Sequence, residues 1–198
     1  MSRITPIKIT VDKAAIRKIE GDLMHIKDGA PLAVSRAINH TLNVTRTEAS
    51  KEIRKQVKLK ASYVKGKLRL QKATQSNLTG AIQTPTRGTL LSRYPSSQKY
   101  RQKNGLRFKS GVNVQVKPTG GKKHMPGAFF IRFANGVSGI AIRTKYGPGL
   151  GRSEGLKVLY GPSTSQVFTD VKDDLQAPSG NRLMQRLAHE AERLLRKQ

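Results

Sequence analysis

The chain has 198 residues, with 38 Lys and Arg against 12 Asp and Glu, and a formal net charge of +26. It contains no Cys, which excludes disulfides and thiolate metal sites. It also lacks any run of about eighteen apolar residues, which excludes a membrane-spanning helix. Because only 36% of residues are hydrophobic and none is Trp, we expect a modest aliphatic core and extended parts that rely on neighbours for burial.

The positive charge is concentrated in the middle of the chain. Residues 53–153 hold twenty-two Lys and Arg and not one Asp or Glu. Residues 1–52 hold nine basic and six acidic groups, and residues 154–198 hold seven and six. Fields of one sign on this scale favour association with polyanions or with acidic proteins. We therefore expect a negatively charged partner close to the middle segment.

The N-terminal part predicts a strand followed by a first helix. Ile7, Ile9 and Val11 alternate with polar residues, which is the period of a half-buried strand. Asp12 is the predicted N-cap of the helix. Gly29-Ala30-Pro31 is predicted to end it.

A second, longer helix is predicted from Leu32 to Lys58, with Pro31 in its first turn. At roughly 40 Å it exceeds what a small domain needs for its own core, which indicates an assembly rod. Its apolar stripe consists of Val34, Ile38, Leu42, Thr45, Ala49, Ile53 and Val57. Its last turns carry Lys51, Arg54, Lys55 and Lys58. These four cations either bind a partner or form a solvated helix end favoured by the helix dipole.

A short helix capped by Ser62 is predicted to run through Leu68, with Lys65, Lys67 and Arg69 exposed. Beyond it, Thr, Gly, Ser, Pro and Val replace the helical period, which predicts β-structure. The predicted strands are residues 77–84, 112–117, 127–133, 138–143 and 156–160. Asn135-Gly136 lies between the third and fourth of them and predicts a type I′ hairpin, because that turn needs two positive φ angles.

Two segments between these strands are predicted to be loops. Residues 92–111 combine Tyr94, Tyr100 and Phe108 with several cations. The cations are Lys99, Arg101, Lys103, Arg107 and Lys109. This loop either follows a nucleic-acid backbone or becomes ordered against a neighbouring subunit. The Gly-rich residues 147–152 lack the Gly-Lys-Ser/Thr ending of a P-loop and are predicted to be a hairpin tip.

The last segment predicts two helices. The first begins at Pro162 and continues to Leu175, and Pro178-Ser179-Gly180 is predicted to break it. Asn181 is then the cap of a C-terminal helix. The apolar face of that helix consists of Leu183, Leu187, Ala191 and Leu194.

The predicted fold class is α+β, with long N-terminal helices, a central and mainly antiparallel β-sheet, and C-terminal helices. We expect residues 1–70, 71–161 and 162–198 to form one structural unit. The residues predicted to contact DNA or a partner are those cations of the helices and of the 92–111 segment, together with Lys122 and Lys123.

No catalytic, cofactor or metal site is predicted. The four His residues are scattered, and none has a second His four positions away. Carboxylates are the usual ligands of Mg²⁺ and common general bases, and the central hundred residues have none. We therefore expect neither an enzyme nor a protein with a small-molecule substrate.

Several stretches carry a family resemblance. They are AVSRAIN at 33–39, TRTEASK at 45–51, LKASYV at 59–64, GAFFIR at 127–132, LYGPS at 159–163 and QVF at 166–168. In order and spacing they resemble the minor tail protein Z family of long-tailed bacteriophages over most of the chain. The LYGPS stretch is the most specific, and residues 85–126 match least well.

The resemblance implies a tail completion protein. Such a protein is assembled in the host cytoplasm into the virion, at the head-proximal end of a non-contractile tail, and has no enzymatic activity. It is needed for head–tail joining and for positioning the DNA end. A homo-hexameric ring is implied, next to the tail terminator, tail tube and head-tail connector proteins and within reach of packaged DNA. The Tyr160-Gly161-Pro162 corner is interpreted as a structural junction.

Two hypotheses follow. In the first, a ring protein of the neck directs its acid-free middle toward DNA or toward acidic neighbouring rings. In the second, the chain is a free basic nucleic-acid-binding protein, whose affinity falls steeply with salt.

Overall fold

The computed structural model describes residues 6–26, 28–145 and 155–196. The α-helices are α1 (Lys13–Asp22), α2 (Gly29–Gln56), α3 (Ala61–Lys67) and α4 (Thr164–Leu195). The strands are β1 (Ile7–Thr10), β2 (Arg69–Gln71), β3 (Thr79–Gln83), β4 (Thr89–Leu90), β5 (Ser96–Lys103), β6 (Leu106–Val114), β7 (Lys123–Pro126), β8 (Phe129–Arg132), β9 (Ser138–Arg143), β10 (Leu156–Val158) and β11 (Tyr160–Gly161). The predicted α+β class is confirmed.

The core forms around α2 and α4, which pack along each other. The seven residues of the predicted α2 stripe are all buried, none more than 4% exposed. The predicted apolar face of the C-terminal helix is buried as well. One hydrophobic cluster extends from Ile7 to Leu194, so all three predicted segments contribute to it.

Polar contacts join the two long helices beside this apolar seam. The Thr45 and Ser179 hydroxyls lie 2.8 Å apart in the buried interface. The Arg182 guanidinium donates two hydrogen bonds to the Glu48 carboxylate, at 2.6 and 3.0 Å. Such a bidentate pair fixes direction as well as distance. The rotation of α4 against α2 is therefore specified by side chains and not by apolar packing alone.

The predicted break at Pro178-Ser179-Gly180 is wrong, because α4 runs unbroken through it. Pro178 cannot donate to the carbonyl of Asp174, but both residues are exposed, so water can replace the lost bond. On the buried side, Ser179 donates to the Leu175 carbonyl at 2.6 Å and also bonds Thr45. Packing against α2 thus outweighs the tendency of Pro178 and Gly180 to break the helix. Asn181 therefore lies inside α4 and is not an N-cap.

The start of α4 differs from the prediction by two residues. Pro162 precedes the helix, and Ser163 is its N-cap. The Ser163 hydroxyl accepts from the Gln166 backbone N–H, and the Gln166 side chain accepts from the Ser163 backbone N–H. This capping box satisfies two backbone donors that a helix start otherwise leaves unpaired.

Two other predicted helix boundaries need correction, and the predicted N-cap position of α1 is confirmed. The 29–31 segment begins α2 and does not end α1, because α1 already stops at Asp22. The N-cap of α3 is Lys60, and Ser62 lies within that helix. Asp12 does occupy the N-cap position of α1, but its side chain makes no capping hydrogen bond.

The strands pair into small antiparallel sheets. Their orders are β1-β3-β2, β5-β6-β7 and β10-β9-β8, with β11 paired to β4. In the first sheet, β3 lies close to α2, since a Cβ on Gly80 would come within 2.6 Å of Ile38 and 2.7 Å of Leu42. A glycine is needed at this position for close approach.

The predicted strands match these sheets to different extents. The 138–143 strand agrees with β9, and the 77–84 and 127–133 strands enclose β3 and β8. The 112–117 prediction overlaps only the end of β6, and residues 156–160 divide between β10 and β11. The predicted tip at 147–152 lies outside the described residues.

The prediction of a loop at 92–111 is wrong. After a short 3-10 turn at Leu91–Arg93, β5 and β6 form a long hairpin. Its two-residue turn is Asn104-Gly105, with φ angles of 50° and 75°. These are the positive angles of a type I′ turn. The same Asn-Gly signal that was assigned to 135–136 was present here in the sequence.

The hairpin predicted at 127–143 is confirmed, but its turn type is not. β8 and β9 pair antiparallel, with Phe129 opposite Ala141 and Arg132 opposite Ser138. Gly136 has a φ of 77°, whereas Asn135 has a negative φ. The hydrogen bonds from Gly136 N–H to Phe133 and from Phe133 N–H to Val137 instead define a three-residue loop with Gly in the left-handed position.

The α2–α4 contact makes a testable prediction about Ser179. Ser179→Ala removes the partner of the fully buried Thr45 hydroxyl, so the free energy of unfolding should fall by about 1–3 kcal/mol. Adding Thr45→Val should recover part of this loss, because no polar atom is then left unpaired. Urea unfolding of the two single variants and the double variant measures the coupling. Thr169→Ala is the matched control, because that hydroxyl donates to Ser165 within the same helix.

Candidate partner and nucleic-acid interface

Five of the predicted contact residues come together on one hairpin, whose outer part we call the arm (residues 99–109). Every side chain of the arm is exposed, so it is solvated on both faces. The exposed side chains include Tyr100, Leu106 and Phe108, at 45, 64 and 47%. Isolated two-stranded ribbons are marginally stable in water. An arm that exposes apolar groups in this way is typical of a contact surface.

Cross-strand pairing separates the cations of the arm from one another. Each of the four pairs beyond the bulge contains one cation and one uncharged residue. The pairs are Tyr100 with Lys109, Arg101 with Phe108, Gln102 with Arg107, and Lys103 with Leu106. Like charges directly opposite each other would destabilise the ribbon, and this register avoids them.

The two faces of the arm differ in chemistry, because paired residues share a face and neighbours along a strand alternate. One face, which we call the polar face, holds Tyr100, Gln102, Arg107 and Lys109. On it the Arg107 guanidinium lies 4.0 Å from the centre of the Tyr100 ring. The other, which we call the apolar–basic face, holds Arg101, Lys103, Leu106 and Phe108. The second face offers two cations and two apolar side chains to a partner.

A second group of predicted cations lies at the opposite end of the same sheet. The Lys58 ammonium donates to the Gln115 side chain at 2.8 Å, just beyond the end of β6. Lys123 pairs in register with Val114, and Lys122 precedes it. Lys58, Lys122 and Lys123 are therefore neighbours of one sheet end, although 57 residues separate Lys58 from Gln115 in the chain.

A third group surrounds a pocket of about 620 Å³, which we call the basic pocket. Lys67 and Arg93 both lie 5.4 Å from the centre of the Tyr63 ring. Arg87 and the ring of Tyr160 also line the pocket. No carboxylate is among its lining residues in the described part of the chain. The pocket therefore suits an anionic group next to a flat ring or an aliphatic chain.

The remaining predicted residues do not converge. Lys51, Arg54 and Lys55 are exposed on the last turns of α2, where Lys55 pairs with Glu52 at 2.7 Å. An exposed pair of this kind contributes little stability. Lys65 and Arg69 are exposed on α3 and β2. The sequence analysis did not include Arg87 and Arg93 among the predicted contacts. Their signal in the sequence was their position in the acid-free segment, with Arg93 next to Tyr94.

The structure offers no candidate metal centre within residues 6–26, 28–145 and 155–196, since no group of three or more His, Asp or Glu side chains could hold an ion there. Among the described helices, none combines the length and apolar character needed to cross a membrane.

The 159–163 stretch forms a junction between the last strands and α4. β11 pairs with β4, and the Tyr94 hydroxyl donates to the Pro162 carbonyl at 2.8 Å. A Cβ on Gly161 would come within 2.7 Å of the Tyr94 ring, so the ring packs directly on the backbone. Burial raises the pKa of Tyr94 to about 12, and nearby Tyr63 acts in the same direction. A hydrogen bond with Thr89 acts in the opposite direction.

Comparison with known proteins identifies the family. The family model of prophage minor tail protein Z matches residues 12–198, which is nearly the whole chain. The chain belongs to this family. None of the curated proteins or solved structures compared with it gives a match. The protein is therefore a minor tail protein and a virion component that contacts other tail proteins.

The stretches that carried the resemblance have structural roles in this minor tail protein. Thr45 and Glu48 make the contacts to α4, and the Arg46 guanidinium donates to the Lys65 carbonyl at 2.6 Å. Ser163 and Gln166 form the capping box. The arm also lies within residues 12–198, which the family model matches.

The raised pKa of Tyr94 predicts how the free energy of unfolding depends on pH. Its pKa is about 10 when unfolded and about 12 when folded, so the fold favours the neutral phenol. The neutral Tyr94 phenol therefore contributes about 2–3 kcal/mol to the free energy of unfolding. This contribution is fully present below pH 10 and is lost as the pH rises to about 12. Urea unfolding across that range should show a steeper loss for the wild-type protein than for Tyr94→Phe.

Tyr100→Phe serves as the matched control, because that ring is exposed on the arm. If Tyr94→Phe and wild type lost stability in parallel between pH 10 and 12, the assignment to this phenol would be wrong.

Proposed function

We propose that this minor tail protein is the tail completion protein at the head-proximal end of the tail. There it joins tail to head and holds the DNA end in position for delivery. The observation that carries the proposal is the coincidence of family membership with a 101-residue segment, residues 53–153, that is basic and free of carboxylates. A protein at the DNA entrance of a tail has both polyanions and neighbouring rings as partners.

We propose further that the protein works as a homo-hexameric ring beside the tail terminator, tail tube and head-tail connector proteins. The two long helices support this assignment, since α4 is roughly 48 Å long with 32 residues and serves as a rigid rod. The solvated arm adds to it, because head-to-tail contacts between identical subunits generate rings when the rotation closes.

Within this ring, the cations of the basic pocket are the proposed DNA contacts. Lys67, Arg87 and Arg93 lie around aromatic rings without a competing carboxylate among the lining residues of the described chain. Arginine and lysine contacts to phosphate supply affinity without reading sequence. This suits a protein that must hold a DNA end whatever bases it carries. A structural role of this kind requires no catalytic group.

Imaging the purified neck of phage particles tests the proposal. We expect six copies of this chain between the tail tube and the connector, with the basic pocket facing the central channel. Tails assembled without the protein should lack infectivity, and supplying the wild-type chain should restore it. Finding the chain at the distal tip, or its pocket on the outer surface far from DNA and from other proteins, would overturn the assignment.

The second candidate is a free nucleic-acid-binding protein, which the basic pocket and the arm also favour. In that case the isolated subunit should bind duplex or single strands at physiological salt. Replacing Lys67, Arg87 and Arg93 with Gln should then reduce the slope of log affinity against log salt by about three.

If the protein is instead a tail completion protein, we expect the isolated subunit to bind nucleic acid more weakly. Its few clustered cations should give binding only at low salt, lost as salt rises toward physiological concentration. Filter-binding titrations separate the two cases. The matched control replaces Lys51, Arg54 and Lys55 with Gln, which removes the same charge from the end of α2.

A further inference from the structure

The apolar–basic face of the arm has a complement elsewhere on the same chain. α1 and the end of α4 lie side by side and leave a groove of about 590 Å³ between them, which we call the α1–α4 groove. The buried side chains of Ile19, Leu187 and Ala191 form its floor. Met184 and Leu195 stand along it at 50 and 44% exposure. The groove therefore offers apolar surface that the described chain leaves open to solvent.

Helical spacing explains why α4 has this second apolar row. Leu183, Leu187, Ala191 and Leu194 form the face that is buried in the core. Met184, Ala188 and Leu195 follow the same helix one position further round, at spacings of four and seven. On a helix this places them along one stripe beside the buried face. Packing against α2 thus leaves one stripe of α4 without a partner in the described chain.

The charges along the groove are opposite to those of the arm. Asp12, Asp22 and Glu192 are among the lining residues, against one cation, Lys18. Glu192 lies 3.6 Å from Arg196 in an exposed pair, which is easily exchanged for another cation. Because the arm carries five cations and no carboxylate, charge complementarity favours the arm over an acidic protein or DNA as the occupant of this groove.

The dimensions agree with this pairing. Arg101 and Lys103 project from the same face of one strand, about 7 Å apart. Asp12 and Asp22 stand at the two ends of α1, about 15 Å apart. The two cations therefore fit between the two carboxylates with their long side chains extended outward. Leu106 and Phe108, on the same face of the arm, would then lie over the apolar floor.

We propose that the apolar–basic face of the arm of one subunit docks into the α1–α4 groove of a second copy of this chain. Because the two surfaces are different parts of the molecule, each copy offers one arm and one groove. The contact is therefore heterologous and repeats from copy to copy, as ring closure requires. The proposal deepens the ring assignment and rests on it by naming the contact that closes the ring.

The absence of native Cys allows a direct test by disulfide trapping. Leu106→Cys and Met184→Cys are placed in separate copies, and both are expressed in cells that assemble tails. Both positions are exposed, so the fold should tolerate the changes. We expect the mixture to give a crosslinked dimer on non-reducing gels of purified tails. Tails that carry either variant alone should give none.

Gln102→Cys is the matched control, because it lies on the polar face only one residue pair away from Leu106. Paired with Met184→Cys, it should crosslink at least tenfold less than Leu106→Cys. If the 106–184 pair crosslinked no better than the 102–184 pair in assembled tails, the docking proposal would be overturned.

A charge exchange gives an independent readout. Arg101→Glu with Lys103→Glu should abolish the 106–184 crosslink, because each arm then repels the carboxylates of the groove. Adding Asp12→Lys with Asp22→Lys to the Met184→Cys copy should restore it. The fold should tolerate both changes in the groove. The Asp12 side chain makes no capping hydrogen bond, and Asp22 is the last residue of α1, where the helix dipole favours a Lys. Loss of the crosslink without restoration would argue for a different occupant, such as DNA or an acidic ring protein.

The outcomes separate this proposal from the assignment to the neck. If the 106–184 crosslink forms in particles whose neck lacks the chain, the docking proposal is supported and the assignment to the neck is wrong. A sixfold ring seen in the neck without that crosslink would keep the position and overturn the docking.

Discussion

The pairing of α2 with α4 is the constraint on which the rest of the structure depends. Two long helices from opposite ends of the sequence bury each other, and a hydroxyl pair and a bidentate ion pair fix their relative rotation. The position of the remaining elements follows from this pairing. The β1-β3-β2 sheet packs on α2, and the junction after β11 delivers the chain to the start of α4. Thr45 and Glu48 of the 45–51 stretch lie at this helix contact, and Ser163 lies at the start of α4, so these parts of the family motifs have structural roles.

The charge distribution follows the same division. In the described part of the chain, the carboxylates lie on α1, α2 and α4 or at the N-caps of α1 and α2, and several pair with cations, such as Glu48 with Arg182 and Glu190 with Arg186. Within the described residues, the strands and the hairpin turns between them carry cations and no carboxylate. The excess positive charge of the molecule therefore lies on its β-part, where it favours contact with negatively charged molecules.

Local sequence patterns predicted the helical part of this fold well and the β-part less well. The α2 stripe could be read from spacing because one helix face is buried along its whole length. The continuity of α4 could not, since it depends on Ser179 meeting Thr45 of a helix 134 residues away. The arm was missed because its side chains are solvated on both faces, so no apolar alternation marks it. Its only local signal was Asn104-Gly105. The basic residues were visible in the sequence, but their grouping into arm, sheet end and pocket required the pairing of strands.

The high net charge of each subunit affects when two free subunits can associate. At +26 each, two free copies repel over about a Debye length, which is roughly 8 Å at physiological ionic strength. The proposed encounter between arm and groove would therefore succeed only in narrow orientations while the proteins are dilute. A polyanion or an acidic ring that gathers copies would remove that barrier, so the timing of self-association would be set by the surface on which the subunits collect.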